Sequence, residues 1–225
     1  MTAKPAPKSA NATTTAYEVL KAAIMSAELE PHQQFLERDL AERLEMSRTP
    51  VREACIRLQV EGLVEIIPRR GIRIVAISAD DMAQVYDMLG VLEARAAELA
   101  ATRATAEQVQ RLDDAVAAMH QAIAEDDLDA WAAADAEFHL GLVEASGNRH
   151  LVEAVMRSAD LVHRARMVTL RLRPTPTASS TDHEDLVAAI RSGDADKAGA
   201  IHLAHRRTAA KQLVGLLRYH NLTGL

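Results

Sequence analysis

Aromatic residues are nearly absent from this chain of 225 residues: it has two Phe, three Tyr and one Trp. Its core must be built mostly from aliphatic side chains and alanine, within an apolar share of 48%. Alanine carries the smallest entropic penalty in a helix, so this bias favours helices. Cysteine occurs once, as Cys55, which excludes an internal disulfide and fits a reducing cytoplasm. No apolar run approaches the roughly 18 residues that span a bilayer, so no membrane partner is expected. The start of the chain holds Lys4 and Lys8 but no hydrophobic stretch after them, which argues against a secretory signal. Residues 1–13, rich in Ala, Pro, Ser and Thr, read as a disordered tail. The expected location is the cytoplasm.

The formal net charge of −6 speaks at first against nucleic acid. The charge is unevenly spread, however. Residues 1–78 carry 11 Lys/Arg against 10 Asp/Glu, and residues 79–225 carry 15 against 22. Salt limits the reach of distant charges to roughly 8–10 Å, so a local basic patch still attracts phosphate. Arg38, Arg43, Arg48, Arg52, Arg57, Arg69, Arg70 and Arg73 crowd one short window of the first part.

Hydrophobic periodicity divides the chain further. Tyr17, Leu20, Ile24 and Ala27 recur at helical spacing and predict a helix from about 14 to 27. Leu40, Ala41 and Leu44 mark a short helix over 37–44. Thr49 is placed to cap a third helix with Pro50 at its first position, where a missing N–H costs nothing. Val51, Ala54, Cys55 and Leu58 form the apolar stripe of that helix, and Gly62 stops it. The period then changes: 63–67 and 72–75 read as strands around a turn at Pro68-Arg69-Arg70-Gly71. Three helices and a hairpin over 14–76 outline a winged helix-turn-helix. From Ser78 on only helices are evident, near 79–103, 105–125, 127–146, 148–171, 181–192 and 194–219. Ser78 with Asp81, and Thr105 with Gln108, have capping-box spacing. The fold class expected is mostly α: a winged helix-turn-helix followed by an all-helical bundle over 79–221.

The run from Phe35 to Leu44, then Ser47-Arg48-Thr49-Pro50-Val51-Arg52-Glu53-Ala54, Glu61-Gly62-Leu63-Val64 and Pro68-Arg69-Arg70-Gly71, resembles the GntR family of bacterial transcription factors. One departure is His32 after Pro31, where the family usually has glycine. The residue chemistry points the same way. Arg48 and Arg52 are four apart and share a helix face, and arginine suits bidentate contact with guanine in the major groove. Arg57 points away from that face. The resemblance implies DNA contacts at Arg38, Arg48, Thr49 and Arg52, with Gly71 at the wing tip entering the minor groove and Arg70 reaching phosphate.

The second part holds most of the nine histidines. Asp135 and His139 are four apart on one helix face and can share a metal. His183 begins a later helix, and His205 and His202 lie three apart in the last one, where periodicity does not choose between them. Three imidazoles and a carboxylate suit Zn²⁺, Ni²⁺, Mn²⁺ or Fe²⁺, with zinc favoured.

Leu92-Glu93, Asp135-x-x-x-His139, Ala145-Ser146-Gly147-Asn148, His183-Glu184, Gly193-Asp194 and His205 resemble the FCD domain, the mark of the FadR-type branch of GntR regulators. That domain is a helical bundle that binds a divalent metal and a small effector, often an organic acid. The resemblance implies Asp135, His139, His183 and His205 as metal ligands and leaves His202 out, because the family has an apolar residue there. Family members often carry Arg four residues before the Glu, where this chain has Leu89. Arg164 and Arg166 are the candidates to meet an effector carboxylate instead.

These readings converge on a transcription regulator, most often a repressor in this family. It would act as a homodimer on a palindromic double-stranded operator and respond to a carboxylate at a metal site. One alternative keeps the DNA binding and makes the metal structural, or itself the signal. Another is a metal-dependent enzyme, but four protein ligands leave little room for an activated water, and Glu137 should point elsewhere on its helix than Asp135 and His139. The expectation is therefore no enzyme.

Overall fold

The computed structural model describes residues 9–25 and 28–220. Ala27 and residues 1–8 of the expected tail lie outside them; residues 9–13 are helical, so the first helix begins earlier than periodicity suggested. The chain forms two compact units that divide between Ile77 and Ser78.

The first unit comprises α1 (Ser9–Met25), β1 (Gln34–Phe35), α2 (Glu37–Arg43), α3 (Arg48–Val60), β2 (Val64–Ile67) and β3 (Gly71–Ile74). Tyr17, Leu20 and Ile24 of α1 are buried against Leu40, Val51, Ala54 and Leu58, the stripes expected from spacing. The strands form an antiparallel sheet in the order β1-β3-β2. Glu65 lies opposite Arg73 across the hairpin and pairs with it, a favourable cross-strand combination. The two-residue strand β1 had no sequence signal, being too short for any period.

Two backbone positions explain local residue choices. His32 takes φ +66°, a left-handed conformation that glycine adopts without strain. Its N–H donates to Ile74 O at 2.9 Å, so the departure at this position is confined to a turn that starts β1. Gly71 has φ +97°, and a Cβ there would stand 2.1 Å from Phe35 O. Only glycine lets β3 approach β1 so closely.

The second unit comprises α4 (Ala79–Arg103), α5 (Ala106–Ala124), α6 (Leu128–Ala145), α7 (Arg149–Met156), α8 (Ala159–Leu170), α9 (Thr177–Ser192) and α10 (Ala195–Tyr219). Their starts follow side-chain chemistry. Ser78 accepts from the Asp81 N–H, Thr105 and Gln108 form a full capping box, and Asp194 accepts from the Lys197 N–H. The single helix expected over 148–171 is two helices, interrupted at Arg157-Ser158 without any Gly or Pro to announce it. Helix α9 begins at Thr177, before the start expected near 181. The core joins Phe138, Leu142, Leu186, Ile190 and Met119 with many alanines. The long α4 and α10 pack along each other, and α6 and α9 close on them. Trp131 Nε1 donates to Ser180 Oγ at 3.1 Å in the interior, tying α6 to α9 one turn before Asp135. Among the described residues no helix is long and apolar enough to cross a membrane.

Candidate DNA-binding face and metal centre

Helix α3 starts at Arg48 with Ser47 as its N-cap, so Pro50 sits third rather than first. It is still within the first turn, where N–H groups have no helical acceptor and proline is harmless. The same free N–H groups make this end a natural phosphate site. Arg38, Arg48 and Arg52 are largely exposed and line one concave surface of about 390 Å³ with Gly71. Glu37 stands between two of them, 3.5 Å from Arg48 Nη2 and 3.8 Å from Arg52 Nε. Exposed pairs of this kind contribute little and break readily for a phosphate. Thr49 is exposed in the same first turn. Arg70 is exposed in the wing turn, but Arg69 is the wing arginine that lines the concavity, and sequence reading did not single it out. Gly71 is the first ladder residue of β3, opposite Ile67, so the tip is Pro68-Arg69-Arg70 and the glycine lies just behind it. Arg57 stacks 3.6 Å from the Tyr17 ring centroid and pairs with Glu61, away from this face.

In the helical unit, α6 supplies Asp135 and His139, α9 supplies His183, and α10 supplies His202, His205 and Arg206. Helix α4 adds Glu93 and α8 adds Arg166. All are buried or nearly so. The rings of His139, His183 and His205 form a triangle with centroids 4.5–5.7 Å apart. Their nearest nitrogens lie within 4.8 Å of one another. His139 Nε2 and His183 Nε2 are each 3.7 Å from the same oxygen, Asp135 Oδ1. Ligands on bonds of about 2.1 Å to a tetrahedral ion stand about 3.4 Å apart, so the spacing is close to that of a ligand set. Both ring nitrogens of His183 lack a hydrogen-bond partner among the described residues, although it is buried.

The protonation states suit a cation. Burial, then the Arg206 charge, lowers His139 to about 3. Burial lowers His202 to about 4 and pushes His183 and His205 down as well. Neutral imidazoles are the form that ligates metal. His205 Nδ1 lies 3.2 Å from Asp182 Oδ2, and His139 Nδ1 lies 3.2 Å from Glu93 Oε2. The His205 contact is a hydrogen bond of the kind that orients metal-bound histidines, while the His139–Glu93 contact is a close approach without hydrogen-bond geometry.

A second donor group, Glu93, His139 and His202, adjoins the first. Arg206 Nε and Nη2 already occupy the Glu93 carboxylate at 2.8 and 2.5 Å, and His202 Nε2 joins at 2.8 Å. Burial alone would raise Glu93, but Arg206 and the two histidines hold it well below the usual carboxylate range. Arg206 engages both oxygens of Glu93, whereas Arg166 takes only Asp135 Oδ2 and leaves Oδ1 facing His139 and His183, so the Asp135, His139, His183 and His205 group is the better candidate metal site. Its other neighbour, Arg166, pairs with Asp135 Oδ2 and keeps its proton at neutral pH, although burial lowers it to about 10.

Of the two arginines expected at the site, Arg166 is there and lines cavities on two sides of it. Arg164, two residues away, is buried elsewhere on α8 and lines neither. Arg206 was missed. It lines both cavities, but its ion pair with Glu93 spans 113 residues and leaves no local signal.

Comparison with known proteins matches a separate family model to each of the two units. Residues 12–74 match the model of the bacterial regulatory proteins of the gntR family, and residues 84–208 match that of the FCD domain. A helix-turn-helix transcriptional regulator in the TAR-I ttuE-ttuC' intergenic region of Agrobacterium vitis is 43% identical over 138 residues, 60% of this chain and 81% of its own. The transcriptional repressor RspR of Escherichia coli is 28% identical over 203 residues, 88% of each chain. The solved structure of E. coli McbR/YncC superposes with a TM-score of 0.75 at 19% identity, covering 91% of this chain and 98% of that one. The relatives are regulators rather than enzymes.

Proposed function

Because the chain belongs to the gntR family of bacterial regulatory proteins and carries an FCD domain, it is a DNA-binding transcription regulator, and we propose that it is a homodimeric repressor whose operator affinity is set by an organic acid bound beside a divalent metal. The ligands proposed for that metal are Asp135, His139, His183 and His205, with zinc favoured. Arg48 and Arg52 would read bases, with Thr49, Arg38, Arg70 and Gly71 around them, on a palindrome whose half-sites mirror the dimer.

The observation that carries the reading is the charge balance of the buried cluster. Glu93 and Asp135 are neutralised by Arg206 and Arg166, and the histidines are uncharged at neutral pH. A divalent ion would therefore bring two uncompensated positive charges into the interior. Buried charge needs a partner, and an anion is the natural one. Arg166 and Arg206 also answer the loss of the family's arginine at Leu89, since both guanidiniums stand at the same cavity as Leu89. When bound, the metal supplies a Lewis-acid attachment point for a carboxylate. The chain's own residues do the rest: Asp182 orients the His205 ring and the arginines supply N–H donors. Regulation requires that the acid bind the DNA-competent and DNA-incompetent states unequally.

A second reading, a structural metal, is favoured by the four protein ligands, which fill a tetrahedral site. Two measurements separate these. Elemental analysis of protein never exposed to chelator is expected to give stoichiometric metal, and its absence ends both metal readings. Gel shifts on the protein's own upstream DNA are expected to weaken with a cognate acid; retardation that no acid alters favours the structural metal.

A further inference from the structure

The smaller of the two cavities beside His139 encloses about 160 Å³, against about 340 Å³ for its neighbour. It lies within the helical unit and is walled on one side by the connection between α8 and α9. Asp135, His139, His205, Arg166 and Arg206 all line it. So do two groups that the metal cluster does not use, Arg173 and Tyr86. Arg173, half-buried in the connection, donates through Nε and Nη2 to Thr169 Oγ1 at 3.2 and 2.5 Å. Among the described residues no carboxylate lies within ion-pair distance of it. Tyr86 of α4 is 2% exposed, and its hydroxyl has no hydrogen-bond partner among the described residues. Burial lowers the pKa of Arg166 and of Arg173, and in both the Tyr86 hydroxyl is the leading group that opposes it, so this hydroxyl is near both guanidiniums. Resting on the reading that an acid is the effector, we infer that this cavity takes a compact dicarboxylate, with one carboxylate on Arg166 and Arg206 and the other on Arg173 and the Tyr86 hydroxyl.

Charge sets the number of carboxylates. Arg166 pairs with Asp135 and Arg206 with Glu93, so Arg173 is the one lining arginine without an acid of its own. A guanidinium withdrawn from water needs a counter-charge, and a second carboxylate supplies it. Arg166 and Arg206 keep N–H donors beyond those that Asp135 and Glu93 engage, so they can hold the first. Asp182 is the one lining carboxylate that no arginine neutralises; its Oδ2 is held by His205, and its half-exposure lets solvent screen it. A buried hydroxyl left unpaired is costly, and a carboxylate oxygen can accept from Tyr86. An apolar tail would instead cover Arg173, Tyr86, Thr175 and Ser179 without replacing their water. The remaining polar lining, Trp131, Thr208 and Gln212, is neutral, and the small volume favours a short spacer between the two carboxylates.

Calorimetric titration of the full chain, with and without added zinc, tests this with succinate, its monoamide succinamate, butyrate and adipate. Succinate is expected to bind at least about tenfold more tightly than the other three. Succinamate or butyrate matching succinate overturns the second carboxylate site, and adipate matching it overturns the short spacer; in either case the acid-effector reading stands. No binding by any of the four overturns both. Arg173→Gln, checked for a native helical spectrum, should weaken succinate about tenfold and butyrate far less. Tyr86→Phe should weaken succinate about threefold. Succinate affinity that is unchanged in either variant, or lost equally with that for butyrate, also overturns the inference.

Discussion

Arg52 and Arg57 differ by five positions on one helix and by everything in surroundings. Arg52 is exposed on the concave face with only a 3.8 Å contact to Glu37, while Arg57 stacks on Tyr17. Arg52→Ala should cost about 1–3 kcal/mol of operator binding and relax sequence preference. Arg57→Ala should leave operator affinity nearly unchanged and lower stability instead. Fluorescence anisotropy on operator and mismatched duplexes checks the first, and urea melts check the second. Cys55 makes a different residue-level case. Burial, then the nearby Glu37 charge, pushes its thiol up to about 12 from 9.0. Its folded value lies above the unfolded one, so its contribution to stability is full below about pH 9 and fades as pH rises towards 12. Native protein at pH 8 should resist alkylation that urea-unfolded protein undergoes, and Cys55→Ala should flatten part of the alkaline loss in urea midpoint.

At the scale of elements, the proposed metal group depends on α6, α9 and α10 being held in register. The Trp131–Ser180 bond joins α6 to α9, and the Asp182–His205 contact joins α9 to α10. Asp182 is about half-exposed, so its removal should spare the core while freeing the His205 ring. Asp182→Ala is expected to lower metal affinity about 10–100-fold with little change in the thermal midpoint of the metal-free protein. Competition with a chromophoric chelator reads this directly, and unchanged affinity would sink the orienting role. The wing is the corresponding element in the other unit. Its glycine is demanded by the approach of β3 to Phe35, so the position is a structural requirement whether or not it touches DNA.

For the whole molecule, net charge misleads. The chain carries −6, yet the arginines of the concave face belong to a unit whose charges nearly balance. DNA binding should thus fall steeply with salt, since it rests on local phosphate contacts. The proposed metal would be the other molecule-wide lever. An ion bound only by the folded helical unit stabilises it by about 4 kcal/mol at a thousandfold excess over its dissociation constant. Chelation should therefore lower the melting temperature of that unit, and adding zinc back should restore it. A melting curve indifferent to chelator in protein shown to lose its metal would contradict this role.

The sequence by itself determined whatever depends on neighbours along the chain. Helical stripes such as Tyr17, Leu20 and Ile24, the caps at Ser78, Thr105 and Asp194, and the Asp135–His139 pair all follow from the 3.6-residue turn and its free ends. Even there, the break at Arg157-Ser158 and the early start of α9 escaped, because no Gly or Pro marks the first and context overrode the Pro/Ser composition at the second. Periodicity did not separate His202 from His205, both buried and three apart; in the tertiary structure His202 bonds to Glu93 and His205 stands with His139 and His183. Only the tertiary structure separated Arg166 from Arg164 and brought Arg206 to Glu93. The physical reason is that meetings across distant helices depend on how the whole core packs, which no local period encodes.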